Sequence, residues 1–379
     1  MPESLNRSPP PHAYRCVCGA GVYFHNSVCL NCQTDLGYDP DLAQIVPLAS
    51  TDLPGQWTTA TRAPVAKDAA RLYYRCANFS SAAACNWLRP ANVVAPGGDD
   101  GLCLACSLNR TVPEQSAPHN QMLWQHIEVA KRRLVVQLLA LGLPVRTLQR
   151  SPWQDAQRGL AFDFLLEKQA GMPVMTGHAN GVITINAEEA DDNFREQARQ
   201  AMQEPYRTLL GHMRHEIGHY YWDRLVRGTP WIEPFRAWFG DERLDYAQAV
   251  QLHYAVGAPP GWAARHVSAY ASCHPWEDWA ETWAHYLHMR DTVNTARSFG
   301  LDASDVEVDI LPYTLDALYN PHVPDAQIFV DFVNNWLRMT RVLNELSRSM
   351  GERDFYPFTL PRAAIAKLQL VHEVVKQLL

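Results

Sequence analysis

The most informative segment of this chain is Arg214-His215-Glu216-Ile217-Gly218-His219-Tyr220, which contains the pattern His-Glu-x-x-His. The segment belongs to a stretch of helix-forming composition, from about Glu204 to Val226, with apolar residues at helical spacing. Residues four apart lie on one face of a helix, so His215 and His219 can direct their imidazoles at one metal ion. Glu216 faces the same pocket, and this arrangement predicts a zinc site with a carboxylate beside it.

An acidic segment further along the chain, Trp276-Glu277-Asp278-Trp279-Ala280-Glu281, can provide a third ligand. It belongs to a helix predicted from about Pro275 to Met289, opened by its proline. Glu277 and Glu281 share a face of that helix, whereas Asp278 is turned about 100° away. Zinc in a hydrolase usually takes three protein ligands, and a ligating histidine usually donates its second ring nitrogen to an acceptor. We therefore assign Glu277 as the third ligand and Glu281 as the carboxylate behind a ligand histidine.

Two further considerations bear on this assignment. The acidic residues could instead form a solvated helix N-terminus that complements the helix dipole, but the upstream His-Glu-x-x-His motif favours metal binding. Gly218, between the histidines, would let another element or a substrate approach closely, at a cost of about 1 kcal/mol relative to alanine.

The cysteines form the second strong pattern, because eight of the nine lie before residue 107. They are arranged as Cys16-x-Cys18, Cys29-x-x-Cys32, Cys76-x8-Cys85 and Cys103-x-x-Cys106. Paired, closely spaced cysteines suit a four-cysteine zinc ribbon, in which each turn supplies thiolates at about 2.3 Å from the metal. The pattern predicts two structural zinc ions.

Disulfides in a secreted protein are the alternative use of these cysteines. The N-terminal twelve residues lack the apolar run of a signal peptide, and no segment is long enough to cross a bilayer. We therefore expect a cytoplasmic protein without membrane association, in a compartment where thiols stay reduced and bind metal.

Cys273 is predicted to be unpaired and buried, with an inhibitory contact at the metal site as the alternative.

Charge argues against nucleic acid as a partner. The chain has a formal net charge of -7 at pH 7 and no basic run that could neutralise phosphates. Each four-thiolate zinc centre would add a formal charge of about minus two to the cysteine-rich head, residues 1–112. We expect this head to dock a protein partner or to stabilise the chain, although it could equally shape a substrate groove.

The motifs together resemble known families. His-Glu-x-x-His followed by Glu-x-x-x-Glu resembles the gluzincin metallopeptidases, and Tyr270, seven residues before Glu277, is placed like the catalytic tyrosine of the anthrax lethal factor group. With its cysteine-rich head and the block from Trp276 to Tyr286, the chain resembles the bacterial zinc-ribbon metallopeptidases over nearly all of its length. The resemblance implies an α+β, zincin-like and mostly helical peptidase domain with a small sheet, preceded by a double zinc ribbon.

We accordingly divide the chain into a double zinc-ribbon domain, residues 1–112, and a metallopeptidase domain, residues 113–379. Helices are predicted at about 121–141, 245–255, 324–350 and 360–379, in addition to the two that carry the motifs. Strands are predicted at 161–167 and 181–186. In zinc peptidases of these kinds a strand before the active-site helix commonly pairs with substrate, so 181–186 is either such an edge strand or a plain core strand.

These features predict a zinc metallopeptidase that acts on a peptide or protein. Zinc would polarise the carbonyl and the attacking water, Glu216 would transfer the proton to the leaving amine, and Tyr270 would donate to the oxyanion. A non-catalytic interaction module on a zincin fold and a hydrolase of a non-protein amide are the alternatives. The intact Glu216 argues against the first alternative, because a structural site needs no carboxylate there.

Several residues compete for these roles. The separation of 58 positions between His219 and Glu277 is longer than in compact gluzincins. Other candidates for the third ligand are therefore Asp241, Glu242 and Asp245. Other candidates for the hydroxyl or proton donor are Tyr220, Tyr221, His178 and His212.

Overall fold

The computed structural model describes residues 12–61, 71–93, 100–167, 171 and 173–378. Within these, residues up to 195 form one compact unit, and residues from 196 onward form a second. The first unit holds all of the β-sheet, and the second is built from helices. The compact unit that contains the eight ribbon cysteines extends to residue 195. The division between residues 112 and 113 stays a prediction.

The first unit begins with a two-stranded and a five-stranded antiparallel sheet. The strands are β1 (Tyr14–Arg15), β2 (Gly21–Val22), β3 (Asp35–Asp39), β4 (Gln44–Ser50), β5 (Gln56–Thr59), β6 (Leu72–Arg75) and β7 (Leu88–Pro90). The five-stranded sheet is a meander in the order β3-β4-β5-β6-β7, so each strand pairs with its neighbour in the chain. Its core is a cluster of buried apolar side chains, namely Val46, Leu48, Tyr73 and Leu88. This sheet was not predicted.

A four-stranded sheet follows in the order β10-β11-β9-β8. Its strands are β8 (Asn109–Thr111), β9 (Ala161–Leu165), β10 (Gly177–Ala179) and β11 (Val182–Asn186). The predicted strands at 161–167 and 181–186 correspond to β9 and β11. Strand β11 pairs with β10 on one side and with β9 on the other, so its backbone groups are already bonded. The prediction of a substrate-pairing edge at 181–186 is therefore wrong, and the core-strand alternative is correct.

Nearly all the predicted helices are present with small shifts of their ends. The helices are α1 (Leu104–Ser107), α2 (Pro118–Ala140), α3 (Asp192–Ala201), α4 (Leu209–Leu225), α5 (Ile232–Trp238), α6 (Tyr246–Val256), α7 (Pro275–Ser298), α8 (Ala326–Ser349) and α9 (Arg362–Lys376). Helix α4 starts after Thr208, whose hydroxyl accepts a hydrogen bond from the backbone N–H of Gly211. Helix α7 continues nine residues beyond its predicted end at Met289.

Helices α4 and α7 pack closely against each other through Gly218. A Cβ atom at this position would lie 3.1 Å from the Cα of Ala280 and 3.1 Å from the Cβ of Trp283, closer than ordinary contacts. The indole N–H of Trp279 donates to the Gly218 carbonyl at 3.0 Å. Another element thus approaches the glycine, as the sequence suggested, and this contact fixes the spacing of the two motif-bearing helices.

Candidate metal centres

The two histidines of the motif lie one turn apart on α4 and face each other. Their Nε2 atoms are 3.2 Å apart, and His219 is only 4% exposed. Two ring nitrogens this close need a proton or a cation between them. Helix geometry alone therefore gives the first half of a metal site.

Helix α7 supplies the third group. The Oε2 atom of Glu277 lies 2.9 Å from Nε2 of His215, and its Oε1 atom lies 3.4 Å from Nε2 of His219. Glu277 is in the first turn of α7, where the side chain of His274 caps the helix by accepting from the Trp276 N–H. Only 1% of Glu277 is exposed. The predicted set of two histidines and one carboxylate is thus brought together and buried.

The separations suit zinc. A tetrahedral ion with nitrogen and oxygen ligands at about 2.0–2.1 Å holds those atoms about 3.3 Å from one another. The three observed separations run from 2.9 to 3.4 Å. The chemistry of the set also fits, since imidazole nitrogen and carboxylate oxygen are common zinc ligands in hydrolases.

Glu281 lies behind His215, where the helix periodicity predicts it. His215 Nδ1 and Glu281 Oε1 are 2.8 Å apart, and the Ser268 hydroxyl donates to Oε2 at 2.6 Å. Ser268 Oγ in turn accepts from the backbone N–H of Ala271. This chain of contacts orients the His215 ring and ties it to the turn before α7. Ser268 was not anticipated, because nothing in the sequence near it marks the contact.

The ionisable groups of the site influence one another strongly. Burial opposes a charge on His215, but its bonds to Glu277 and Glu281 outweigh that effect and hold its pKa well above the usual range. Burial likewise raises the pKa of Glu277, but the charge of His219 and the bonds from both histidines outweigh it, so the net pKa is well below normal. The site therefore favours two carboxylates around a positive charge, which a metal ion can supply in place of a proton.

Glu216 directly follows His215, the first of the candidate ligands. It is 7% exposed, and burial raises its pKa above the usual value for a carboxyl group. Its Oε2 atom has no hydrogen-bond partner in the part of the chain that the structure describes. A buried carboxylate with a raised pKa and a free oxygen is suited to accept and return a proton.

Two tyrosines lie at the site. The ring of Tyr270 is 6.0 Å from the ring of His215, centroid to centroid, and burial raises its pKa, so it remains a protonated phenol. Tyr246, at the start of α6, donates its hydroxyl to Glu277 Oε1 at 2.7 Å. Sequence reasoning missed Tyr246, because only the fold brings α6 to Glu277.

The competing third ligands are occupied elsewhere. Asp241 bonds to Arg243 and Glu242 to Arg236, and Asp245 caps α6 by accepting from the backbone N–H of Gln248. Asp278 also faces away from the histidines, as the helix rotation predicts. Its Oδ2 atom lies 2.5 Å from Nζ of Lys367 and 3.2 Å from Nδ1 of His266.

Three of the four competing donors have contacts away from the candidate site. The Tyr220 hydroxyl accepts from Arg224, and Tyr221 stacks on Trp283 in the core. His178 is in the first unit, where its Nε2 accepts from the Gly181 N–H. His212 lies one turn before His215 and is partly exposed. Cys273 is partly buried, and burial raises the pKa of its thiol to about 11.

The remaining eight cysteines form the two predicted sets of four, and none is in a disulfide. In the first set, Cys16 and Cys32 have sulfurs 3.5 Å apart, and Cys18 and Cys29 have sulfurs 3.8 Å apart. In the second set, the Cys85–Cys103 separation is 3.7 Å. Tetrahedral zinc with sulfur at about 2.3 Å sets its ligands about 3.8 Å apart. Both sets therefore fit zinc.

The two sets differ in burial. In the second set, each cysteine is at most 2% exposed, whereas Cys32 of the first set is exposed and Cys18 is partly exposed. Helix α2 supplies the buried cation Arg132 beside the second set. Burial lowers the pKa of Arg132, but the negative charges of Cys85, Glu128, Cys106 and Cys103 outweigh that effect and raise the pKa. A buried guanidinium thus offsets the negative charge that a four-thiolate centre carries.

A fourth cluster, made by Asp325, His372 and Glu373, has a different character. Lys376 Nζ lies 2.6 Å from Asp325 Oδ1 and 3.7 Å from Glu373 Oε1. The carboxylates therefore already have a cation, and the cluster is an ion-pair network between the start of α8 and the end of α9.

Comparison with known proteins agrees with these centres. Residues 120–374 match a sequence family described as "Putative zinc-binding metallo-peptidase", and residues 13–117 match a zinc-ribbon domain. The fold and the sites thus define a zinc-binding protein with an N-terminal zinc ribbon, and the chain belongs to this zinc-binding metallo-peptidase family. The prediction of an N-terminal zinc ribbon is confirmed.

Similar proteins occur in mycobacteria. The chain is 40% identical over 362 residues to the uncharacterized protein Rv2568c of Mycobacterium tuberculosis strain H37Rv, covering 95% of this chain and 94% of that protein. Uncharacterized protein Mb2598c of Mycobacterium bovis matches to the same extent. No solved structure matches. In the described part of the chain, the helices are too short or too polar to span a membrane.

Proposed function

We propose that this protein is a zinc-dependent peptidase whose active site is formed by His215, His219, Glu277 and Glu216. The observation that carries the proposal is a buried carboxylate with a free oxygen, Glu216, next to a buried set of three zinc-type ligands. A purely structural zinc site would need only the ligands. Membership of the metallo-peptidase family supports the same reaction class.

His215, His219 and Glu277 would hold the metal, with Glu281 fixing the orientation of His215. When bound there, zinc supplies a Lewis acid that polarises the scissile carbonyl and lowers the pKa of the attacking water. With these three residues as ligands, the site would have room for water and substrate beside the metal, as catalytic zinc sites require.

Glu216 and Tyr270 would be the catalytic side chains. Glu216 accepts the proton of the water at its free Oε2 and passes it to the leaving amine, a transfer that its raised pKa favours. Tyr270, kept protonated by burial, donates its hydroxyl to the oxygen that becomes negative in the transition state. The ligand order His-x-x-x-His then Glu, with Glu281 behind it, supports a gluzincin-like, zincin-type arrangement related to the lethal factor group.

The zinc-ribbon head would dock a protein partner or substrate. Free cysteines throughout support a reducing, cytoplasmic environment for it. Its lack of excess positive charge supports a protein rather than a nucleic acid as the partner.

The function is tested with a broad peptide library, incubated with the zinc-loaded protein and with its Glu216→Gln form. The exposed Glu352→Gln variant serves as the matched control for loss of one carboxylate. We expect cleavage products from the wild type and from the control but not from Glu216→Gln, with equal zinc content in all three. Cleavage of amide-containing non-peptides alone would move the assignment to a different hydrolase, and no cleavage of either kind would support a non-catalytic interaction module.

A further inference from the structure

Helix α6 contacts the candidate zinc site and has almost no core of its own. From residue 241 to residue 265, every residue is at least partly exposed. Three apolar side chains of α6 are largely exposed, with exposed fractions of 60% for Leu252, 60% for Tyr254 and 76% for Val256. Apolar burial therefore contributes little to holding α6 in place, so specific contacts must hold this helix against the rest of the unit.

Helix α6 contacts the site in two places. Near its C-terminal end, the rings of His253 and Tyr254 lie 5.6 Å and 6.5 Å from that of Tyr270. The contact with Glu277 is made by Tyr246, the first residue of the helix. The Tyr246 hydroxyl donates to Glu277 Oε1 at 2.7 Å. Its ring packs edge-on against Trp276, with centroids 5.7 Å apart, and the Trp276 ring is 4.1 Å from that of His219. The side chain of Asp245 caps the helix here, which fixes the direction in which Tyr246 leaves the backbone.

We propose that Tyr246 is a positioning residue of the zinc site, which holds the ligand carboxylate of Glu277 and couples zinc binding to the docking of α6. A buried carboxylate that ligates a metal needs a hydrogen-bond donor to fix its orientation. Tyr246 provides that donor to Oε1, the oxygen that also lies 3.4 Å from His219. The inference rests on the proposed zinc site but not on hydrolysis.

The coupling must act in both directions. If docking of α6 through Tyr246 strengthens zinc binding by some factor, zinc binding strengthens the docking of α6 by the same factor. Zinc binding therefore stabilises the docked position of α6, and loss of zinc loosens the segment 241–265.

The test compares Tyr246→Phe with Tyr254→Phe, a matched loss of one hydroxyl on the same helix that keeps the ring of residue 254 beside Tyr270. Zinc affinity of the full chain is measured by competition with a chelator. Hydrogen exchange of residues 241–265 is measured with and without the exchangeable zinc. We expect Tyr246→Phe to weaken zinc binding roughly 10-fold to 100-fold, as loss of a contact to a metal ligand does. Zinc should slow exchange in α6 of the wild type and of Tyr254→Phe, but less in Tyr246→Phe.

The inference is overturned if Tyr246→Phe binds zinc within about twofold of the wild type, or if zinc leaves the exchange of α6 unchanged. Because both readouts measure zinc and not cleavage, they separate this inference from the proposed reaction. A protein that passes this test but cleaves no peptide would retain the role of Tyr246 and lose the peptidase assignment.

Discussion

The buried ion pair between Asp278 and Lys367 gives the most quantitative prediction. Asp278 directly follows Glu277, the proposed ligand, and its carboxylate lies 2.5 Å from the ammonium of Lys367, which comes from α9. The two side chains are 1% and 3% exposed. Replacing Asp278 with Asn keeps the shape of the side chain but leaves the Lys367 charge buried without its partner.

Removal of one partner from a buried pair typically costs about 3–5 kcal/mol, because the remaining charge is uncompensated. Lys367 keeps its hydrogen bond to the Arg265 carbonyl at 2.9 Å. We therefore expect the lower end, a loss of about 3 kcal/mol in the free energy of unfolding. The double variant Asp278→Asn, Lys367→Met should recover most of this loss, because both charges are then gone.

The free energy is measured by urea unfolding in a zinc buffer, followed by tryptophan fluorescence, with zinc content determined alongside. Zinc should remain bound in Asp278→Asn, because Asp278 faces away from the histidines. A loss below about 1 kcal/mol would refute the ion-pair argument. Loss of the exchangeable zinc without loss of stability would refute the assignment of Glu277 over Asp278.

Three further predictions follow from the same contacts. The protein should hold about three zinc ions per chain, and a colorimetric chelator should remove zinc from the cysteine set that contains the exposed Cys32 before it removes zinc from the fully buried set. About one zinc ion per chain, or equal release rates from the two sets, would contradict the assignment of two four-cysteine sites. Glu277→Ala should abolish the exchangeable zinc, whereas Glu281→Ala should weaken it about 10-fold to 100-fold; equal losses, measured by chelator competition, would mean that the two roles are not distinct. Tyr270→Phe should keep its zinc but cleave peptides about 10²-fold to 10³-fold more slowly than Tyr254→Phe in steady-state assays. Full activity of Tyr270→Phe would mean that another residue donates to the oxyanion.

Local patterns in the sequence predicted much of the site. The spacing of His215 and His219 and the rotation that separates Asp278 from Glu277 and Glu281 follow from helix geometry alone. The structure places these side chains accordingly, because Asp278 pairs with Lys367 and Glu281 contacts the His215 ring. The close packing at Gly218 was likewise visible as a glycine in an otherwise good helix.

Contacts between distant segments were not predictable in the same way. Tyr246 and Ser268 reach the site from α6 and from the turn before α7, and only the tertiary fold selects them. The strands of the five-stranded sheet are short and separated by turn-rich segments, so their periodicity is weak. The central position of β11 depends on pairing with β9, about twenty residues earlier, which strand periodicity does not reveal.

The three zinc sites are tested most directly by anomalous X-ray diffraction from a crystal of the zinc-loaded protein, recorded on both sides of the zinc absorption edge. We expect three zinc peaks, one in each four-cysteine set and one within about 2.0–2.2 Å of Nε2 of His215, Nε2 of His219 and a carboxylate oxygen of Glu277. Peaks in the cysteine sets alone, or a third peak bound by Asp245 or by the Asp325–His372 cluster in place of Glu277, would contradict it.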